Sequence, residues 1–290
     1  MDLDFTDDFL VKEKFSIKDW PTKYRGNLDK SAGKKMLAEE KEKLYDLQER
    51  LYADGSQALL IVLQAMDAAG KDSLIEHVFS GVNPQGCNVT SFKRPSTLEY
   101  SHDFLWRHYL ALPKKGYIGI FNRSHYESVL VTKVHPQFNL NEKTWNSVEQ
   151  FDEKFWGNRY ESIRNFERHI SLNGTKIVKI FLNVSKEVQK ERFLSRIDEQ
   201  EKNWKFEFGD LEERALWDDY MAAYERAINE TSRDFAPWFV LPADDKWFAR
   251  VAAIQIIINA LESMNPKYPA VSQDVTLKLQ EAKQRLLSEK

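Results

Sequence analysis

Five short runs read as β-strands, and segments with apolar residues at helical spacing separate them. Ala58 to Leu63 is apolar without a break, as expected of a strand covered on both faces. Asn88–Phe92, Tyr117–Phe121, Ile177–Leu182 and Pro237–Leu241 are the other four. Before the first strand, Met36, Leu37, Leu44, Leu47 and Leu51 form a stripe that predicts a helix over Ser31–Tyr52. A second helix is predicted from Lys71 to about Ser80. Ser96 and Glu99 make a capping box opening a third through about Leu110, with Leu98, Leu105, Tyr109 and Leu112 inward. Further helices are predicted over Ser147–Leu172, from the Ser185 cap with Phe193, Leu194 and Ile197 on one face, and over Asp210–Thr231. The last two carry Trp247, Val251, Ile254, Ile258 and Leu261, and the charged stretch 270–290. Strands alternating with helices point to an α/β fold with a parallel sheet between two helical layers.

No repeat, low-complexity tract or linker divides the chain, so one domain over 1–290 is expected. It comprises a polar arm and helix (1–56), a core (57–265) and a terminal helix (266–290). With 290 residues, 42% of them hydrophobic, a substantial core is available. A net charge of −3 argues against nucleic acid as a partner. No apolar run reaches the 18 or so residues of a membrane span, since Gln64, Gln255 and Asn259 interrupt the longest. The acidic start MDLDFTDDFL is unlike a secretory signal, and the single cysteine, Cys87, excludes a disulfide framework or a cysteine-based zinc site. A cytoplasmic protein is expected.

The candidate chemistry begins where the first strand ends. ALLIVLQAMDAAGKD joins a buried strand to a helix through small residues and a Lys, the parts of a phosphate-binding loop. Backbone amides around Ala68, Ala69, Gly70 and Asp72 would close on phosphate oxygens at a helix N-terminus, with Lys71 as a point charge. Ala65 stands where the pattern has its first Gly, Asp72 where Ser or Thr is usual, and Asp67 is an additional acid. The alternative is a plain strand-to-helix turn with a surface lysine. Residues 91 to 133 hold seven basic residues (Lys93, Arg94, Arg107, Lys114, Lys115, Arg123, Lys133) against three acids, either an anion site or a solvated basic face. Arg107 could simply pair with Asp103 four residues earlier.

The third strand ends in Asn122-Arg123, where a neighbouring strand of phosphate-loop enzymes supplies a metal-binding acid. Asn122 brings an oxygen but no charge, whereas Arg123 can clamp phosphoryl oxygens. His125 reads as a structural histidine, and His102, His108 and His135 lack metal-ligand spacing. Arg192 and Arg196 share one helix face, ahead of the charged loop Asp198–Phe208 that carries Lys202 and Lys205. Such a loop between late helices suits a lid near 192–210.

AMDAAGKD, VNPQGCNVTSFKRPS, LWRHYLALP, IGIFNRSHYESVLV, EKNWKFEFGDLEER and APWFVLPADDKWFAR together resemble the polyphosphate kinase 2 family, in order, over residues 30 to 265. The resemblance implies a P-loop kinase-like fold with a five-stranded parallel sheet and a helical lid. It implies reversible phosphoryl transfer between inorganic polyphosphate and nucleotides with Mg²⁺ (Mn²⁺ as an alternative), without a phosphoenzyme. Asp67 is then catalytic and close to the metal, Lys71 binds phosphate, and Arg123 matches the Arg of an Asp-Arg-Ser motif. Asn122 replaces that motif's acid, and with Glu127 would lie near the acceptor. The Asn-Arg-Ser-His-Tyr-Glu variant resembles the branch accepting both AMP and ADP. Lys93, Arg107 and Lys133 are further candidates for a polyphosphate track, and Arg192 and Arg196 for lid arginines. Adenine and guanine nucleotides, and a homodimer or homotetramer, complete the implied partners. An ATP-dependent nucleotide kinase and a non-catalytic phosphate-binding module are the competing readings.

Overall fold

Strand β1 (Ala58–Gln64) is fully buried and sits at the centre of a five-stranded sheet in the computed structural model, which describes residues 4–289. Upstream lie a single turn, α1 (Thr6–Phe9), and the long α2 (Lys30–Asp54); downstream comes α3 (Lys71–Phe79). The chain continues through β2 (Cys87–Ser91), α4 (Thr97–Tyr100), α5 (Trp106–Leu110), β3 (Ile118–Asn122), α6 (Val131–Val134) and α7 (Glu153–Leu172). Then follow β4 (Thr175–Asn183), α8 (Lys186–Asp198), α9 (Gly209–Ala215), α10 (Trp217–Thr231), β5 (Trp238–Pro242), α11 (Lys246–Met264) and α12 (Gln273–Ser288).

The sheet order is β2-β3-β1-β4-β5 and every pairing is parallel. Chain connections leave the β1 neighbourhood toward opposite edges, which opens a crevice at the carboxyl ends of the strands beside β1. Helices α3 and α11 cover one face; α7 and α10 cover the other. Helix α11 is apolar all round because it lies between the sheet and α2, whose Leu37, Leu44, Leu47 and Leu51 are buried as the stripe predicts. The two helices meet closely. A Cβ on Gly33 would stand 2.3 Å from the Trp247 ring.

The arm is less polar in effect than in composition. Phe5, Phe9, Val11 and Phe15 are buried, Leu10 bridges Phe239 antiparallel, and the Val11 amide donates to the Trp238 carbonyl (2.9 Å). It thereby covers the β5 edge.

Three predicted helices are interrupted. The Ser96–Glu99 capping box forms, but its helix ends at Tyr100, and α5 restarts after the Asp103 carboxylate accepts from the Leu105 amide (2.9 Å). Leu98 and Tyr109 are therefore exposed, contrary to the expected inward face, while Leu105 and Leu112 do pack on the core. Arg107 does not pair with Asp103; it donates to the Lys93 carbonyl (2.8 Å) and lies 3.7 Å from Glu99. Ser147 caps only the 3-10 turn Val148–Gln150, and α7 begins behind a second cap, Asp152. The stretch from Asp210 breaks at Leu216, where α9 turns so that Arg214 reaches the Lys186 carbonyl and Gln189. Helix α8 packs by Gln189 and Phe193, which leaves Leu194 and Ile197 exposed rather than beside Phe193 in the core.

Candidate active site

The loop after β1 is shaped by two left-handed residues. Gly70 (φ 115°) forms the N-cap of α3 in a conformation that a side chain would strain, and Ala68 adopts φ 59°. Side chains then claim the loop's carbonyls. Lys71 Nζ donates to the Ala65 carbonyl (2.6 Å) and the Met66 carbonyl (3.3 Å), and Gln189 donates to that of Asp67 (2.9 Å). Arg192 donates to the carbonyls of Ala68 (3.1 Å) and Ala69 (2.6 Å) through Nη1, and to those of Ala243 (2.6 Å) and Asp244 (3.0 Å) through Nη2. With its carbonyls drawn outward and α3 beginning at Lys71, the loop suits an anion.

The end of β3 supplies the facing wall. Arg123 has φ 63°, a costly conformation for a residue with a Cβ, and its guanidinium donates to Asp67 Oδ1 (2.7 Å) while Nη1 lies 3.7 Å from Glu127. Asn122 is buried, and its amide nitrogen donates to Asp72 Oδ1 (2.6 Å), which leaves the carboxamide oxygen as its open side. Glu127 and Asp67 hold the Arg123 pKa above the ordinary guanidinium value. Burial, then the Arg123 charge, lowers the Lys71 pKa to about 8. Because the protonated ammonium is the form that binds phosphate, the KM for an anionic donor is expected to rise above about pH 8. A pH profile of kcat/KM for that donor checks this; a flat profile from pH 7 to 9.5 would remove Lys71 from phosphate binding.

Beside Arg123 opens a cavity of about 230 Å³. Phe92, Phe104, Val131 and Phe138 give it apolar walls, and Lys93, Arg107 and Glu127 a polar mouth. Lys93 and Arg107 thus share this cavity with Arg123, and no residue of the phosphate loop lines it. Lys133 is placed elsewhere, over the Trp156 ring (4.5 Å) and 4.0 Å from Glu153. In the segment 199–210, Arg196 donates to the Lys205 carbonyl (3.0 Å) and lies 3.4 Å from Asp210. Lys202 pairs with Glu199, and Lys205 lies over Trp204 (5.0 Å). Of the two arginines expected in a lid, then, Arg192 braces the phosphate loop and Arg196 contacts the segment 199–210. His125 is buried and bonded to Glu167, as a structural histidine should be.

Residues 27–269 match the model of the family described as Polyphosphate kinase 2. This chain belongs to the polyphosphate kinase 2 family. It is 50% identical over 276 residues to the ADP-polyphosphate phosphotransferase of Rhodopseudomonas palustris, 95% of each chain. It is 47% identical over 240 residues to the AMP/ADP-polyphosphate phosphotransferase of Meiothermus ruber, 83% of this chain and 85% of that one. The crystal structure of Polyphosphate Kinase 2 from Arthrobacter aurescens TC1 superposes with a TM-score of 0.88 at 39% identity, covering 97% of both chains.

Two residues near the loop escaped the reading of the sequence. Asp210 is pushed up in pKa by burial and by the nearby Asp67 carboxylate, so a second acid faces the phosphate loop. Lys246 lies against that loop, its Cε 3.8 Å from where a Cβ of Gly70 would be. Both sit inside quoted motifs, GDLEER and ADDKWFAR, but no spacing rule links them to Asp67.

Beneath Arg123 the kinase buries an ionic network. Lys179 donates to Glu167 (2.7 Å), to the Tyr126 hydroxyl (2.9 Å) and to the Thr231 carbonyl (2.8 Å). The Tyr126 hydroxyl donates to Glu167 (2.8 Å), and His125 Nε2 lies 3.2 Å from the same carboxylate. These contacts fix the 3-10 turn His125–Ser128, hence the bearing of Arg123 and Glu127 on either side of His125 and Tyr126. Among the described residues, no helix is long and apolar enough to cross a membrane.

Proposed function

We propose that this polyphosphate kinase 2 moves the terminal phosphoryl group of inorganic polyphosphate onto AMP and ADP, and runs in reverse when nucleotide is in excess. The observation that carries this reading is the place of Arg123. One guanidinium bonds the acid of the phosphate loop and lines the adjoining cavity. Donor phosphate on the loop and acceptor phosphate at the cavity mouth would meet at that single cation, which is what in-line transfer needs. The partly apolar cavity suits a nucleoside, with adenine and guanine as the bases; the loop side offers only polar and charged groups.

In the forward direction an acceptor phosphate oxygen attacks the terminal phosphorus of the donor. The bond to the bridging oxygen breaks, and the shortened polyphosphate leaves with that oxygen and its electrons. Arg123 and Lys71 neutralise charge on the equatorial oxygens, and the loop amides hold the donor end. Transfer is direct, without a phosphorylated side chain. Asp67, Asp210 and the Asn122 carboxamide are hard oxygen donors of the kind Mg²⁺ or Mn²⁺ takes. No three metal-binding side chains converge among the described residues, so phosphate oxygens would complete the coordination. When bound, the ion would neutralise the phosphates. The Asn122 and Glu127 surroundings, and the relative named for AMP and ADP, support both acceptors. A cytoplasmic homodimer or homotetramer belongs to the same proposal.

The test is donor dependence. Purified protein receives AMP or ADP with Mg²⁺, with and without long-chain polyphosphate. Conversion of AMP to ADP and of ADP to ATP only with the polymer is the expected result; phosphorylation of either acceptor from ATP alone, with none from polyphosphate, would overturn it.

A further inference from the structure

Helix α9 buries none of its seven residues, and a helix of that length has little stability of its own. Its place is set by polar side-chain bonds, and two neighbouring residues make them to opposite sides of the active site. On one side, Arg214 donates to the Lys186 carbonyl (2.7 Å) and to Gln189 Oε1 (2.8 Å). Gln189 in turn donates to the Asp67 carbonyl of the phosphate loop (2.9 Å). On the other side, Glu213 Oε2 accepts from His135 Nε2 (2.9 Å) and from the Tyr220 hydroxyl (2.6 Å). The His135 ring stacks on Phe138, with 5.2 Å between centroids and 26° between planes, and Phe138 is a wall of the cavity beside Arg123. Direct contacts therefore run from the loop at Asp67 to the cavity at Phe138 by way of one turn of α9.

The flanking elements are pinned differently. Strands β1 and β3 are wholly buried, and α8 is seated by the buried Gln189 and Phe193. Between them α9 docks or comes away by making or breaking a handful of bonds. We propose that α9 couples the two halves of the active site, so that a nucleotide in the cavity and a phosphate donor on the loop each favour the docked helix and hence each other. Glu213 and Arg214 are positioning residues in this device, and neither lines the cavity. A nucleotide against Phe138 firms the His135–Glu213 end, and donor on the loop firms the Gln189–Arg214 end. The ligand that arrives first bears the entropic cost of ordering α9, and the second is spared it. Each then raises the affinity for the other by the same factor. The inference rests on the donor and acceptor positions proposed above.

The experiment titrates ADP into the full chain with and without a methylene-bridged tripolyphosphate, which can bind as a donor but cannot transfer. It compares wild type, Glu213→Ala, Arg214→Ala, their double variant and Glu213→Gln, and follows amide exchange in α9. The analogue should tighten ADP binding to wild type at least about fivefold, and either ligand alone should slow exchange in α9. Each alanine variant should bring that factor below about twofold, while its Kd for ADP alone moves less than about threefold. The double variant should lose no more than either single one, because both residues belong to one chain of contacts. Glu213→Gln still offers an acceptor to His135 and Tyr220 and should keep most of the coupling, even if Arg214→Ala proves too unstable to titrate. Wild-type ADP binding that the analogue leaves unchanged or weakens would overturn the coupling, as would alanine variants that keep the full factor. A wild type that shows the coupling yet moves no phosphoryl group from polyphosphate would retain α9 as the link and remove the phosphotransfer reading.

Discussion

Arg123→Ala is expected to lower kcat by about 10³-fold, the scale of losing an arginine that neutralises a transferring phosphoryl group. The side chain does two jobs that no neighbour can take over. It bonds Asp67 at 2.7 Å and approaches Glu127 at 3.7 Å, and it lies between the donor and acceptor positions proposed above. Without it, Asp67 and Glu127 face incoming phosphates with no ion-pair partner of their own among the described residues. Steady-state kinetics with both substrates saturating, together with a circular dichroism melt, separate a lost charge from a lost fold. An alanine variant within tenfold of wild type would remove Arg123 from the reacting centre. Asp67→Asn should be comparably slow, and Arg123→Lys should remain well below wild type, because one ammonium cannot span both carboxylates.

The second large effect concerns stability. Lys179→Met is expected to cost about 3–5 kcal/mol, since it leaves the Glu167 carboxylate charged, buried and short of its cation. Glu167→Leu should cost a similar amount by stranding Lys179, whose pKa burial has already lowered to about 8. The double variant should recover much of the loss, because two apolar side chains replace a desolvated ion pair. Urea unfolding of the four proteins in a double-mutant cycle measures this. Single variants each costing less than about 1 kcal/mol would show that water relieves the buried charges.

The strands were legible because parallel strands buried on both faces must be nearly pure apolar runs; Ala58–Leu63 could hardly be anything else. The phosphate loop was legible for a similar reason, as its small residues and Lys71 answer to a local demand. What stayed hidden was tertiary. Leu98 and Tyr109 follow helical spacing, yet Asp103 diverts the backbone between them by bonding Leu105. Arg192 and Arg196 are equivalent by position on α8 and differ only because one meets the loop's carbonyls and the other Asp210. Asp210 and Lys246 approach Asp67 and Gly70 across more than 140 residues of chain, a distance no periodicity encodes.

The four carbonyl hydrogen bonds of Arg192 tie α8 to the phosphate loop and to the end of β5 at once. A displacement of α8 from the phosphate loop would break the bonds to Ala68 and Ala69, and one from the end of β5 those to Ala243 and Asp244. Charge-assisted bonds are among the stronger ones, so the helix, the loop and the strand end are favoured to move together. Amide exchange should then be faster in the segment after Asp198 than in α8.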